Sequence, residues 1–296
     1  MLTLSACGRS EFDKALNAYQ SGDYNTAFQG FSSLAKSGDA NAQHMLAYMY
    51  ERQQGVEQNF REAAKWYLKS AKQGNVASEA KIASMYLQGR GVNKDYWEAM
   101  KWSRKAAVAG NAEAEANIGY MFVDGIGVTQ DYQEAAKWYR KAAEQGLPSA
   151  QHDLGILYQY GRGVEKDYTK AIDLYRKAAG QGFSRSQNNL INIYDEGLGV
   201  PENKVEAFKW FLEKAQNKEI SAQYHLGKLY YRGQGTRQDS ISAFAWLGVA
   251  AAGGLEVAQS LRNEIEFKLN PEELKQARSL ARELWKKFGR HDEPKK

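Results

Sequence analysis

Apolar residues along the chain recur with helical spacing, and the pattern itself repeats every 36 residues. Counted from the residue that opens each repeat, apolar or small residues stand at positions 4, 8, 9 and 12, which share one helical face. A second such set at positions 25, 28 and 33 predicts a second amphipathic helix. The opening residues are Gly38, Gly74, Gly110, Gly146, Gly182 and Lys218, and Gly254 follows the sixth repeat.

A glycine-rich turn separates the two predicted helices, as in Gly125-Ile126-Gly127-Val128. The first glycine suits a helix C-terminus, where φ is positive. Asp or Asn at position 21 suits the N-cap of the second helix, and a Glu three residues later predicts reciprocal capping. The predicted caps are Asn59, Asp95, Asp131, Asp167, Asn203 and Asp239, and the glutamates are Glu62, Glu98, Glu134 and Glu206.

One helix pair cannot bury its apolar face alone, so stacking of consecutive pairs must supply the core. Small residues at position 9 and Ala at positions 25 and 33 let neighbouring helices interlock with the large residue at position 28. The sequence therefore predicts an all-α solenoid of antiparallel helix pairs. The predicted segments are a lipobox-like segment at 1–10, a capping helix pair at 11–37, six repeats at 38–253, capping helices at 254–290 and a disordered tail at 291–296.

Repeat 110–145 carries the run A-x(3)-L-G-x(2)-Y-x(2)-G-x-G-V-x(2)-D-x(3)-A-x(2)-W-x(2)-K-A-A almost throughout, from Ala114 to Ala143. This run resembles the signature of the Sel1-like repeat family, a relative of the tetratricopeptide repeats, and the resemblance covers about residues 38–253. It implies a right-handed superhelical solenoid whose first helices line a concave groove that holds another protein. Two positions depart from the signature: Gln53 replaces the first turn glycine, and Leu174 replaces tryptophan.

The basic net charge of +5 raises the question of a nucleic-acid partner. Lys65, Lys101, Lys137 and Lys209 stand three residues after a Glu, and a further lysine follows one turn later at Lys69, Lys105, Lys141 and Lys177. This spacing predicts Glu–Lys pairing on a solvent face, and the aromatic residues occupy core positions. We therefore expect no nucleic-acid partner. No run of about 18 apolar residues that would span a membrane occurs.

The residues that usually carry chemistry are sparse and scattered. The glycine pairs follow helices rather than strands, which favours turns over a dinucleotide site. The four histidines have no metal-ligand spacing, and we expect them at the surface. The single cysteine stands near no histidine, and relatives with a suggested hydrolase activity have paired cysteines that this chain lacks. The sequence thus predicts a non-enzyme with no cofactor and no metal.

Side chains at positions 6, 7, 10, 13 and 14 of the first helices differ from repeat to repeat, as expected where they meet a ligand rather than each other. Amides and tyrosines are good donors and acceptors for a peptide or loop, although exposed polar positions are also common without any role. The groove candidates are Asn117, Tyr120, Asp124, His152, Asp153, Gln159, Tyr160, Asn188, Asn189, Asn192, Asp195, Glu196, Tyr224, His225, Lys228, Tyr231 and Arg232.

The run Leu4-Ser5-Ala6-Cys7-Gly8 resembles a bacterial lipobox, in which the cysteine is lipidated, although only six residues precede Cys7. The resemblances together imply a protein-binding adaptor of the bacterial envelope, anchored in the periplasm if Cys7 carries lipid and soluble otherwise. A sharper expectation is an immunity protein that inhibits a secreted (type VI) phospholipase effector, because some Sel1-like lipoproteins have that role. The alternatives are a scaffold or regulator of envelope assembly, secretion or signalling, and a hydrolase.

Overall fold

The computed structural model describes residues 3–195, 198 and 201–289, and within these ranges the chain forms 16 α-helices and no strand. The helices group into two compact units, Met1–Ser186 and Gln187–Lys296. The predicted fold class, an all-α solenoid of antiparallel helix pairs, is confirmed. None of the helices in the described ranges is both long and apolar enough to cross a membrane.

The first unit contains a helix pair followed by four repeats of two helices each. Its first helix begins before residue 11, and the side chain of Cys7 lies outside the described part of the chain. The helices are α1 Thr3–Gln20, α2 Tyr24–Lys36, α3 Ala40–Arg52, α4 Phe60–Lys72, α5 Val76–Gln88, α6 Tyr96–Val108, α7 Ala112–Asp124, α8 Tyr132–Glu144, α9 Pro148–Tyr160 and α10 Tyr168–Gly180.

The second unit contains the remaining helices, and the boundary between the units falls inside α11. The predicted tail at 291–296 lies outside the described residues. The helices are α11 Ser184–Asp195, α12 Pro201–Gln216, α13 Ile220–Arg232, α14 Ser240–Ala252, α15 Glu256–Glu266 and α16 Pro271–Phe288.

Five N-caps of the second helices form as predicted, but the reciprocal bond from glutamate does not. The predicted cap Asn203 is wrong, because α12 begins at Pro201 and Asn203 lies within its first turn. Asp131 Oδ1 accepts from the backbone of Gln133 and Glu134 at 2.9 and 3.0 Å. The backbone N–H of Asp131 instead donates to the carbonyl of Phe122 at 3.0 Å, so the loop already satisfies it. Glu134 pairs with Lys137 at 2.5 Å. The same loop bond recurs from Asn59, Asp95, Asp167 and Asp239 to Tyr50, Tyr86, Tyr158 and Tyr230.

The two turn glycines of each repeat serve different purposes. Gly125 ends α7 in the left-handed region at φ 67°, as predicted, and Gln53 takes the same conformation at φ 58° without being glycine. The second glycine allows contact with the preceding repeat. A Cβ on Gly163 would lie 2.2 Å from the carbonyl carbon of Tyr132, so only glycine fits between the backbones.

Small residues at position 9 receive an aromatic ring of the second helix of the same repeat. A Cβ on Gly155 would lie 2.7 Å from Cε1 of Tyr175, and one on Gly119 would lie 2.8 Å from Cδ1 of Tyr139. Tyr175 is fully buried. The prediction that position 9 permits close helix approach is therefore confirmed at these two glycines.

On the solvent face of the second helices the two lysine sets behave differently. Lys101 pairs with Glu98 at 2.7 Å, as predicted. The lysines one turn further were expected to pair with glutamate as well, and that is wrong. Lys105 Nζ lies 4.8 Å from the centroid of the Trp102 ring, because position 28 places the indole directly beneath it. Lys69 and Lys141 stand over Trp66 and Trp138 in the same way.

The departure at Leu174 leaves a gap where other repeats have tryptophan. A cavity of ≈ 280 Å³ lies there, lined by Leu154, Tyr158 and Leu174 among others. The backbone course of α10 is unchanged, so the substitution alters packing and not the fold.

The last helix covers α14, so α14 is buried on more than one face. Asn270 forms a full capping box with Glu273, and Pro271 occupies the first turn, as predicted. Ala277 is fully buried in the second-unit core, and the Phe288 ring stacks on Trp246 with centroids 5.6 Å apart. This explains why α14 carries almost only apolar residues.

Candidate protein-binding site on the first helices

Within the first unit, the first helices of consecutive repeats lie side by side. α5 and α7 are in direct contact, and Lys81 pairs with Glu113 at 3.2 Å across them. The amide of Asn75 donates to Asn41 Oδ1 at 3.0 Å between α3 and α5. These contacts join α3, α5 and α7 into one surface. This surface and α9, the first helix of the following repeat, are here called the first-helix face, and the candidates of this unit lie on α7 and α9.

The prediction that the histidines are surface residues is wrong for His152 and His225. His152 is 6% exposed, and its Nδ1 lies 2.9 Å from Ser186 Oγ. His225 is 9% exposed and stacks on Phe211 at 5.3 Å. Position 6 faces position 4 of the following repeat, so His152 is enclosed between two repeats. His225 stands at position 7 and packs against the second helix of the preceding repeat.

The sequence does contain the signal for this contact. Serine occupies position 4 only where the preceding repeat has histidine at position 6, which gives the pairs His44–Ser78 and His152–Ser186. The His44 Nδ1 to Ser78 Oγ distance is 2.8 Å. These two histidines therefore contribute to the packing contacts between consecutive repeats.

Gln159 is also buried and is occupied by an internal contact. The hydroxyl of Tyr175 donates to Gln159 Oε1 at 2.7 Å. Tyr67 donates to Glu51 at 3.0 Å in the equivalent place. Positions 13 and 29 thus hold the two helices of a repeat together, and Gln159 offers little to a partner.

Three side chains of the first-helix face and one from α8 form a cluster that is open to solvent on one side: Tyr120, Asp124 and Asp153, with Tyr139 from α8. The Tyr120 hydroxyl hydrogen-bonds Asp124, which raises the pKa of Tyr120. Tyr139 is buried beneath them, and its hydroxyl hydrogen-bonds Asp153. Burial and then Asp153 and Asp124 raise the pKa of Tyr139. Position 13 of this repeat is Val123, so Tyr139 has no acceptor there and reaches the next repeat instead.

Burial and neighbouring charges shift the pKa values within this tyrosine–aspartate cluster. Burial raises the pKa of Asp153 to about 6, and Arg185 and the Tyr139 hydrogen bond oppose this rise. Asp124 is exposed and lies close enough to affect Tyr139. Two carboxylates and two tyrosine hydroxyls therefore converge beside one guanidinium. Such a group can accept hydrogen bonds from a cationic side chain or from backbone N–H groups.

Exposed aromatic rings lie on these same repeats. Tyr160 is 60% exposed, and the Arg162 guanidinium lies 5.5 Å from its ring centroid and 5.7 Å from that of Tyr132. Tyr120 is 41% exposed. Asn117 is half-buried. The candidates in the first unit thus divide into accessible residues (Tyr120, Asp124, Tyr160) and half-buried or buried ones.

The candidates of the second unit are more varied. Asn188 and Asn192 are exposed and Asn189 is half-buried, while the Asp195 side chain and Glu196 lie outside the described residues. The Tyr231 hydroxyl donates to Glu264 at 3.0 Å and accepts from Lys268 at 2.5 Å, which ties it to the C-terminal helices. Lys228 lies over the Tyr224 ring at 5.4 Å, and Arg232 is exposed.

Two members of the site were not predicted from the sequence, Tyr139 and Arg185. The recurrence of aromatic residues at position 29, in Tyr67, Tyr139 and Tyr175, was a usable signal for the first. Nothing in the repeat pattern points to Arg185. Among the described residues, no group of three or more His, Cys, Asp or Glu side chains is arranged to hold a metal ion.

Comparison with known families gives a match along most of the chain. The Sel1 repeat profile matches residues 40–75, 76–111, 112–147, 148–183, 184–215 and 220–255. These matches begin at or near the first residues of α3, α5, α7, α9, α11 and α13. Among curated proteins, none matches the chain.

Solved structures with this fold include a Sel1 repeat protein from Oxalobacter formigenes, with 34% identity and a TM-score of 0.62 over 81% of this chain and 96% of that one. A protective antigen of uropathogenic Escherichia coli, which displays an SLR fold, has 24% identity and a TM-score of 0.52 over 96% and 85%. An immunity protein from Pseudomonas aeruginosa has 18% identity and a TM-score of 0.42 over 92% and 82%.

Proposed function

Since the chain belongs to the Sel1 repeat family, we propose that it binds another protein, and that the tyrosine–aspartate cluster with Tyr160 is the contact. The observation that carries this proposal is the convergence of Tyr120, Asp124 and Asp153 at a solvent-open place on the first-helix face. Elsewhere on that face, many polar side chains already bond to a neighbouring repeat. The cluster keeps acceptors to spare, because each carboxylate has up to about four lone-pair sites.

The chemistry of the cluster favours a partner segment that presents a cation. An arginine or lysine placed between Asp124 and Asp153 would form charge-assisted hydrogen bonds. Tyr120 and Tyr160 would supply amphipathic contact area at a small entropic cost. A positive partner would also lower the pKa of Asp153 from about 6, so binding should release protons at about pH 5–6, where Asp153 is partly protonated in the free protein.

Affinity capture from a native envelope fraction tests the proposal when it is repeated with matched variants. We expect one stoichiometric partner to co-purify with the wild-type chain and to be lost from a Tyr120→Ala/Asp124→Asn variant. The control is Trp97→Ala/Asp173→Asn, which changes one exposed aromatic and one exposed aspartate on second helices. Equal retention of the partner by both double variants would rule out the cluster as the contact.

A sharper form of the proposal is an immunity protein that blocks a secreted (type VI) phospholipase effector. The resemblance to Sel1-like lipoproteins motivates it. It requires the captured partner to be a lipase whose activity falls to baseline at one equivalent of the wild-type chain and recovers with the cluster variant. Capture of several envelope-assembly proteins, without a lipase, would favour the scaffold alternative.

The proposed location is the periplasm, with a lipid anchor on Cys7. The run Leu4-Ser5-Ala6-Cys7-Gly8 supports it. Metabolic labelling with a palmitate analogue should mark the full-length protein in cells and not a Cys7→Ser variant, which should leave the membrane fraction. An unlabelled wild-type protein would remove the anchor from the proposal and leave the binding role intact.

A further inference from the structure

A pocket of ≈ 400 Å³ lies between α14, α15 and α16 in the second unit, far along the chain from the proposed contact. Its size falls within the range of roughly 300–1,000 Å³ that small-molecule sites occupy. Most of its surface is apolar, and Trp285 and Ala281 contribute to its wall. Four cationic side chains line it: Arg262, Arg278, Arg282 and Lys286.

Two of the four cationic side chains in this pocket have no compensating contact among the described residues. Arg278 pairs with Glu266 at 2.6 Å, while Arg282 and Lys286 form no ion pair with any described residue. The Arg262 guanidinium lies 4.5 Å from the centroid of the Phe244 ring and donates weakly to Gln259 at 3.4 Å, while its buried Nε has no hydrogen-bond partner in the described part of the chain. A buried donor without an acceptor costs stability, roughly 1–3 kcal/mol, unless a ligand supplies one.

Gly248 leaves the α14 side of the pocket open. At position 30 the other repeats carry long side chains, namely Leu68, Arg104, Arg140, Arg176 and Leu212. A Cβ on Gly248 would lie 3.6 Å from Arg262 Nε and 3.6 Å from Ala281 Cβ, which is ordinary contact. A larger side chain here would therefore extend into the pocket without any clash at the backbone.

We propose that this pocket binds an organic phosphate, with the phosphate group among the arginines and the apolar part against Trp285. Guanidinium groups bind phosphate oxygens through paired hydrogen bonds, which suits a site with three arginines. The positive excess favours a dianionic phosphate over a singly charged carboxylate. The apolar wall beside the cations favours a ligand with an aromatic or hydrocarbon group over inorganic phosphate.

Isothermal titration calorimetry with phenyl phosphate tests the proposal on the full chain. We expect saturable binding at one site, with inorganic phosphate bound about tenfold more weakly because it lacks the ring. Arg282→Gln should weaken phenyl phosphate binding about tenfold or more, since it removes a charged donor. Arg237→Gln is the matched control, an exposed arginine of the same unit outside the pocket, and should change affinity by less than about twofold.

Gly248→Leu tests whether binding needs the cavity itself, apart from the positive charge around it. It keeps all four cations and introduces the side chain that Leu68 and Leu212 have at the same repeat position. It should abolish binding by filling the pocket, while the thermal midpoint stays equal or rises. Phosphatidic acid vesicles identify the source of the phosphate: displacement from vesicles by phenyl phosphate indicates a lipid headgroup, and binding of phenyl phosphate alone indicates a soluble ester. Absence of saturable binding, or equal affinity in Arg282→Gln and Arg237→Gln, would overturn the proposal.

Discussion

Position 5 of the repeats shows how one residue type decides a buried contact. Gln43 and Gln151 donate to the carbonyls of Ala35 and Ala143 in the preceding helix pair. In two repeats the residue is glutamate, and Glu79 and Glu115 are 6% and 5% exposed. Burial raises the pKa of both carboxyl groups. Glu115 is compensated by Gln145, which donates to it at 2.7 Å.

Glu79 lacks that donor because Ala109 stands where three other repeats have glutamine. We predict that Ala109→Gln stabilises the protein by about 1 kcal/mol, because it supplies the missing hydrogen bond to a charged acceptor. Gln145→Ala should destabilise it by about 1–3 kcal/mol by leaving Glu115 unpaired. Urea unfolding followed by circular dichroism measures both, and effects of the same sign would contradict this account.

Gln53 shows the cost of a departure from the turn pattern. It occupies the left-handed region at φ 58°, where a side chain with a Cβ is disfavoured by about 1–2 kcal/mol. We predict that Gln53→Gly raises the free energy of unfolding by about 1 kcal/mol. The reverse change, Gly125→Gln, should lower it by a similar amount, because Gly125 has the same conformation and its Cβ would meet nothing closer than 3.4 Å. An unchanged denaturation midpoint for both variants would count against strain at this position.

At the scale of the element, the turn between the two helices does more than reverse the chain. It satisfies the N-cap backbone N–H of the second helix, and its second glycine contacts the preceding repeat. The capping-box prediction was wrong because it considered the second helix alone. The N-cap N–H donates to a backbone carbonyl at the end of the first helix, so the glutamate does not accept from it and pairs with lysine instead.

A matched pair of glycine variants separates backbone strain from close approach. Gly163 and Gly146 have similar positive φ values of 67° and 88°, but only Gly163 lies against backbone, and Gly146 has open space around its Cα. We predict a loss of about 1 kcal/mol for Gly146→Ala and about 3 kcal/mol or more for Gly163→Ala. Thermal unfolding of both variants tests this, and equal losses would show that the contact with Tyr132 adds nothing.

At the scale of the whole molecule, stacking of repeats buries two neighbouring groups whose pKa values shift in opposite directions. Burial lowers the pKa of His152 to about 4 and raises that of Asp153 to about 6. His152 therefore contributes stability above its ordinary pKa of 6.5, and this is lost as pH falls toward 4. Asp153 has the opposite effect. Its pKa is higher in the folded protein than in the unfolded chain, so folding takes up a proton between pH 6 and 3.8 and stability rises as pH falls through that range.

The two effects should nearly cancel in the wild-type protein, and single substitutions should reveal them. Relative to wild type, Asp153→Asn should lose stability between pH 7 and 4.5, because only the histidine effect remains. His152→Gln should gain over the same interval, and each difference should be about 1–2 kcal/mol. Denaturant midpoints at the two pH values measure this. Differences of the same sign in both variants would refute the compensation.

The sequence by itself determined the helix pairs, their period and the residues of the core, because each rests on local spacing that repeats six times. It also placed the capping residues Asn270 and Pro271, which act within their own helix. Tertiary structure decided what lies between repeats. His152 is buried against Ser186, and the Tyr139 hydroxyl hydrogen-bonds Asp153, because helices of consecutive repeats meet there. The pocket beside Gly248 likewise needs three helices to exist. Local periodicity specifies which face of a helix is buried, whereas the partner of each polar side chain depends on how the neighbouring helices pack.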